Sequence, residues 1–320
     1  MSLSIESPFR GSPDPLATDS SVRSEGWVEA GRAPLSELIA RFLRWPQFLW
    51  AHRDLLWNAV RHDLQARYRG TLLGFAWVLA LPLLQFGIYA FIFTQLLGLK
   101  LGPSAAAYPG AMGVYMFTGT LIWSSFADSV QRSTSCILDH RHLVQKLRFP
   151  AQLLPLQTGL SSLVTLSAGI LAFVLFTGFT SVWQMPGLRL LVWAPVVLLL
   201  QFVLTSGIGL TLASLQVRLR DTLPVIGVLL TILMFATPIF WVPSREVLPG
   251  IEEWLPLVEM NPIHHLLYVW RDLLMSREPS LAFNGDFGHS LRVVSVWAAC
   301  FFALGSWMFF RVERHFADEI

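Results

Sequence analysis

Residues 190–217 read LLVWAPVVLLLQFVLTSGIGLTLASLQV, 28 positions without an Asp, Glu, Lys or Arg. A helix needs about 20 mainly apolar residues to cross roughly 30 Å of hydrocarbon. A charged side chain at its centre costs about 2.5–3.5 kcal/mol on the insertion scale. The stretch therefore reads as one membrane-spanning helix. Five more stretches are equally free of charge: 70–99, 101–127, 149–188, 222–244 and 293–310. The run 149–188 has the length for two crossings. Pro150, Pro155, Trp183 and Pro186 near its ends fit better as interfacial flanks around one helix. The expected fold is an all-α integral membrane protein with six transmembrane helices.

Composition points the same way. Of 320 residues, 54% are hydrophobic and only 14% charged, where a soluble domain carries about 25% charge. Disorder, collagen and a disulfide scaffold are excluded on the same grounds. A net charge of +2 offers nothing to attract nucleic acid. Cys136 and Cys300 lie far apart, so neither a disulfide nor a two-thiol metal site is expected. No phosphate loop, nucleophile elbow or H-E-x-x-H motif occurs. If ATP drives the protein, another chain hydrolyses it. His264 and His265 are adjacent, and adjacent residues do not share a helix face. They read as interfacial residues rather than metal ligands, as do His140 and His142.

An even number of spans puts both termini on one side. Beside the spans that side carries Arg53, Arg61, Arg67, Arg69, Arg132, Arg141, Lys146, Arg148, Arg218, Arg220, Arg311 and Arg314. The other side has Lys100, Arg189, Arg245, Arg271, Arg277 and Arg292. Excess Lys and Arg mark the cytoplasmic face, so both termini are expected there.

The expected organisation has a mostly disordered tail over 1–47, an amphipathic interface helix over 48–70, the spans over 71–310 and a cytoplasmic end over 311–320. In the interface helix Leu49, Leu56, Val60 and Leu64 share one face, beside Trp50, Trp57 and Tyr68. A membrane anchor and a docking surface both fit it. Residues 136–149 predict a short helix stopping before Pro150; a simple basic orientation loop fits as well. Asp128 is placed to pair with Arg132 or to line an entrance. Residues 245–292 hold two apolar segments, Ile251–Val258 and Ile263–Met275, too short to span and separated by prolines. They predict short re-entrant helices before the last span. Aromatics crowd the first two spans. They serve as interfacial anchors or as flat surfaces on which sugar rings stack.

An ordered set of motifs carries a resemblance. Residues 61–77, RHDLQARYRGTLLGFAW, are followed by Pro82, and Leu147-Arg148-Phe149-Pro150 comes next. Then come Leu219-Arg220-Asp221, Thr237-Pro238-Ile239-Phe240, Asn261-Pro262, Arg271-Asp272 and Glu313-Arg314-His315-Phe316-Ala317-Asp318. Together they resemble the permease subunit of ABC-2 type polysaccharide exporters, which serve O-antigen, capsule and teichoic-acid export. The resemblance implies a homodimer in the bacterial inner membrane with two copies of a separate ATP-binding subunit beneath it. ATP and Mg would be held by that partner, and this chain would bind no cofactor. Lipid-linked polysaccharide would be the cargo.

Roles follow from the resemblance. Arg53, Arg61, Arg67 and Arg69 on the interface helix, with Leu143, Lys146, Arg148 and Phe149 on a coupling helix over 136–149, would meet the ATPase. Asn261, Pro262, Arg271 and Asp272 would belong to a periplasmic gate. Phe75, Trp77, Phe86, Tyr89, Phe93, Tyr115, Trp123, Phe126 and Phe240 would be candidates for the glycan path. Three alternatives stand beside this: an ABC-2 exporter of a drug or small lipid, a membrane-embedded glycosyl- or acyltransferase using Asp272, Glu259 and His264–His265, and a purely structural scaffold.

Overall fold

In hydrocarbon every backbone amide must find its partner within the protein, so charge-free runs fold as helices. The computed structural model describes residues 44–98, 111–146, 150–179, 186–243, 250–275 and 286–313. Every regular element among the described residues is helical. Among the described residues, three helices are long and apolar enough to cross a membrane: α6 (Leu153–Phe179), α7 (Arg189–Arg218) and α11 (Phe287–Val312). Residues 149–188 thus contain one long helix among their described positions, as the flanking prolines predict.

At the centre stands α4, Ala111–Asp139, with 29 residues and a length of roughly 44 Å. Almost every residue in its first half is buried. It touches α6, α7 and α10 as well as the outer helices, which explains its wealth of small polar side chains. Buried hydroxyls need acceptors. Thr118, Thr120 and Thr134 donate back to the carbonyls of Val114, Met116 and Val130, at 2.9, 2.9 and 2.8 Å.

The shorter apolar helices lie outside this centre. α3 (Trp77–Tyr89) contains Pro82 and continues as a π-helical stretch, Ala90–Leu96. α8 (Thr222–Ala236) has only 15 residues, of which Thr222 alone is buried. The tight turn between α7 and α8 is held by Gln216. Its carboxamide accepts from Leu223 N at 2.8 Å and donates to the Arg220 carbonyl at 3.2 Å.

The closest crossing is between α7 and α11. A Cβ on Gly305 would run into the Gly207 carbonyl, and one on Gly207 into the backbone of Phe301 and Phe302. Small residues let helix backbones meet where lipid supplies no hydrophobic drive for association.

The amphipathic segment begins earlier than Phe48 and is broken. α1 covers Trp45–Ala51 and α2 covers Arg53–Tyr68. Trp45 is buried against Phe302 and Phe310 of α11, with ring centroids 5.3 and 5.8 Å away. α2 buries Leu56, Val60 and Leu64, as its spacing predicts, while Leu49 on α1 is half-buried. The expected tail lies almost entirely outside the described residues.

The segment 136–149 is also divided. Cys136–Asp139 ends α4, the chain bends at His140, and α5 covers Arg141–Lys146. Its closing residues 147–149 lie outside the described set. Before the last span, a 3-10 turn (Ile251–Glu253), α9 (Leu255–Glu259) and α10 (Pro262–Leu274) follow in order. Prolines at the first turns of α9 and α10 explain both starts, since that position has no hydrogen bond to lose.

Candidate functional site

α10 carries most of the predicted gate residues, and its burial shows how deep it lies. Asn261 caps it: Oδ1 accepts from Ile263 N at 2.9 Å, and Nδ2 donates to Thr237 Oγ1 at 2.8 Å. Near the other end Trp270 donates its indole N–H to Gln201 Oε1 at 3.0 Å. Gln201 is 12 residues along α7 from Arg189, about 18 Å at 1.5 Å per residue. The short helix therefore reaches the middle of the bundle.

Arg271 is fully buried, and its partners are carbonyls. It donates to Pro238 O at 2.6 Å, Tyr115 O at 3.2 Å and Ile239 O at 3.3 Å. The guanidinium also lies 3.5 Å from the centroid of the Tyr115 ring, a cation–π geometry. The Tyr115 hydroxyl donates to Pro238 O and Trp241 O at 3.1 and 3.0 Å. The physical cause lies in α8, which ends at Ala236. The irregular segment after it exposes carbonyls that no helix satisfies, and buried backbone acceptors need donors. Arg271 and Tyr115 supply them. Gly119 leaves the room, because a Cβ there would strike an Arg271 amino nitrogen.

Asp272 turns elsewhere and pairs with Arg189 at 2.9 Å. Arg189 in turn lies over the Phe287 ring, 4.3 Å from its centroid, so α7, α10 and α11 are tied at this end. His265 is held between the Glu259 carbonyl at 2.7 Å and Ser290 Oγ at 3.1 Å. Burial pulls the His265 pKa below the usual imidazole range, against the Glu259 bond, which raises it. No group of His, Cys, Asp or Glu suited to a metal occurs among the described residues.

At the opposite end four charges join α2 to α4. Arg67 meets Asp128 at 2.9 Å and Asp63 at 3.4 Å, and Arg132 meets Asp63 at 2.8 Å. The expected Asp128–Arg132 pair is present but is the longest, at 3.9 Å. The short contacts cross between helices. From Asp128 a line of hydrogen bonds leads inward. Ser162 donates to Asp128 at 2.6 Å, Ser125 to the Ser162 carbonyl at 3.1 Å, and Gln201 to Ser125 Oγ at 3.4 Å. The sequence reading missed Gln201, Ser125 and Ser162. An amide in the middle of an otherwise apolar 28-residue run was the available signal.

The remaining predicted residues divide by exposure. Arg53, Arg61 and Arg69 are exposed on or beside α2, with Arg53 over the Trp50 ring at 4.7 Å, whereas Arg67 is engaged within the chain. Leu143 is half-buried on α5. Lys146 ends that helix; its side chain, and Arg148 and Phe149 altogether, lie outside the described set. Among the aromatics, Phe86, Tyr115, Trp123 and Phe126 are buried among side chains of their own chain. Phe86 packs on Phe117, Phe173 and Phe176 with centroids 5.1, 5.8 and 5.1 Å away. Trp77, Tyr89, Phe93 and Phe240 are half-buried. The side chain of Phe75, in the 3-10 turn Gly74–Ala76, is outside the described set.

Known proteins match over most of this architecture. The family model described as "ABC-2 type transporter" matches residues 54–275. The O-antigen export system permease protein RfbA of Myxococcus xanthus is 32% identical, over 78% of this chain and 92% of that protein. A protein of the same name from Klebsiella pneumoniae is 27% identical, over 70% of this chain and 81% of its own length.

Proposed function

The chain belongs to the ABC-2 type transporter family, and from that premise we propose that it is the membrane permease of an ATP-driven exporter of lipid-linked cell-surface polysaccharide, of the O-antigen kind. It is the membrane subunit of a transporter and not an enzyme. The observation that carries the cargo is the match along 92% of a protein named for O-antigen export.

In this reading six spans cross the bacterial inner membrane, with both termini cytoplasmic. The spans are α3 with its π-helical continuation, α4, α6, α7, α8 and α11. Two copies of the chain associate, and two copies of an ABC subunit carry ATP and Mg beneath them. The exposed arginines of α2 and the short helix α5 face that subunit. α9 and α10 enter the bundle from the periplasmic side as gate helices. The half-buried Trp77, Tyr89, Phe93 and Phe240 are the aromatics best placed to meet a glycan between two copies. Their flat faces bind sugar rings by stacking, which suits a polymer that must slide.

The test is purification with an ABC ATP-binding subunit from the same genome. A 2:2 complex is expected, and polysaccharide should reach the surface of a deletion strain carrying the wild-type gene. Leu143→Asp and Lys146→Glu should weaken assembly or coupled ATP hydrolysis. A wild-type chain that binds no ATPase, or a deletion strain with undiminished surface polysaccharide, would overturn the reading.

A further inference from the structure

Resting on that reading, we propose that the chain of hydrogen bonds from the half-buried Arg67 and Asp128 through the buried Ser162, Ser125 and Gln201 to Trp270 couples the docking helix α2 to the gate helix α10, with Gln201 as its central positioning residue. The chain joins four helices besides α2. Asp128 and Ser125 lie on α4, Ser162 on α6, Gln201 on α7 and Trp270 on α10. Its links measure 2.9, 2.6, 3.1, 3.4 and 3.0 Å in order. The Ser125 link runs to the Ser162 main chain, so α6 takes part through its backbone as well as its hydroxyl.

Two physical points favour transmission over simple adhesion. Gln201 is completely buried in an apolar stretch, where an amide is unfavourable unless both its ends are matched. Here both are: Oε1 accepts from Trp270 and Nε2 donates to Ser125. Moving either neighbour leaves a buried polar group unpaired, so the links tend to shift together rather than one by one. The termini of the chain are also the two places where movement is required. At one, the Arg67–Asp128 and Arg132–Asp63 ion pairs fix α2 to α4. At the other, Trp270 adjoins Arg271, which holds the segment after α8. A displacement of α2 on ATPase closure is thereby felt at the gate.

The experiment uses the full-chain complex with its ATPase, in lipid nanodiscs for hydrolysis and in a deletion strain for export. The variants are Gln201→Leu, Trp270→Phe, the pair together, and Ser162→Ala. The serine change preserves packing and guards against a folding failure at the larger positions. Each single change is expected to leave assembly and ATP hydrolysis near wild type. Export per ATP should fall about 5- to 150-fold, the range of one coupling free energy. The Gln201/Trp270 pair should be no worse than its weaker member, because both break the same link. Unchanged export per ATP in Gln201→Leu and Ser162→Ala, multiplied losses in the pair, or export and hydrolysis falling in parallel would each overturn the proposal. A wild-type complex that hydrolyses ATP but exports no polysaccharide would instead overturn the functional reading beneath it.

Discussion

Arg271 shows how a buried cation is accommodated with no carboxylate bonded to it among the described residues. Its planar fork reaches carbonyls on two separate segments, a geometry that a lysine ammonium on a flexible stem cannot reproduce. Arg271→Lys is therefore expected to destabilise the protein, and Arg271→Met more so. Each buried carbonyl left unpaired contributes about 1–3 kcal/mol. Thermal unfolding in detergent should show the midpoint falling in that order. Tyr115→Phe removes only a hydroxyl shared by Pro238 and Trp241, so its midpoint should fall less. From the sequence, Arg271 was marked only by the Arg271-Asp272 motif of the family resemblance. Its partners were not identified, because Tyr115 is 156 positions away and the other acceptors exist only where α8 stops.

The long helices were legible at the scale of elements because absence of charge is a local property of a run. Breaks and crossings were not. His140 interrupts 136–149 by bonding its ring Nδ1 to the Cys136 carbonyl at 2.9 Å, a local contact that apolar spacing does not encode. Trp45 joins a helix because two α11 rings cover it, which no reading of a proline-rich tail reveals. The Gly207–Gly305 approach is likewise a tertiary fact. Gly305→Ala should cost about 1–3 kcal/mol as an overpacking change, and Gly305→Leu should prevent α7 and α11 from meeting. The amount of folded protein recovered in detergent reads both. At the α10 start, burial holds the His265 pKa below the usual imidazole range. The unfolded chain then takes up a proton first as pH falls. Stability from this site is present above about pH 6.5 and is lost progressively below it. Melting midpoints at pH 7.5 and 5.5 should differ, and the difference should shrink in His265→Gln.

The whole molecule is unevenly covered. α8 turns Val225, Val228, Leu229, Ile232 and Phe235 outward, and α3 exposes Leu81, Leu84 and Ile88. Lipid covers such a face in a lone protomer, and a second copy covers part of it in a dimer. If α8 lines the seam between copies, a cysteine at Ile232 should cross-link two chains under oxidation, and electrophoresis without reductant would show it. Recovery of monomer alone would assign that face to lipid. Cys136 is buried, but Cys300 is exposed, so the cysteine is introduced in a Cys300→Ser background to keep that thiol out of the result.

The crossing at Gly207 and Gly305 also sets the mechanics. With the backbones this close, little side-chain material lies between α7 and α11 there, the Thr211 hydroxyl being the side chain beside the contact. Packed elements shear by small rearrangements of intervening side chains, and here that freedom is missing. The two helices are therefore expected to move together at this point, leaving the thinly covered α3 and α8 freer to shift.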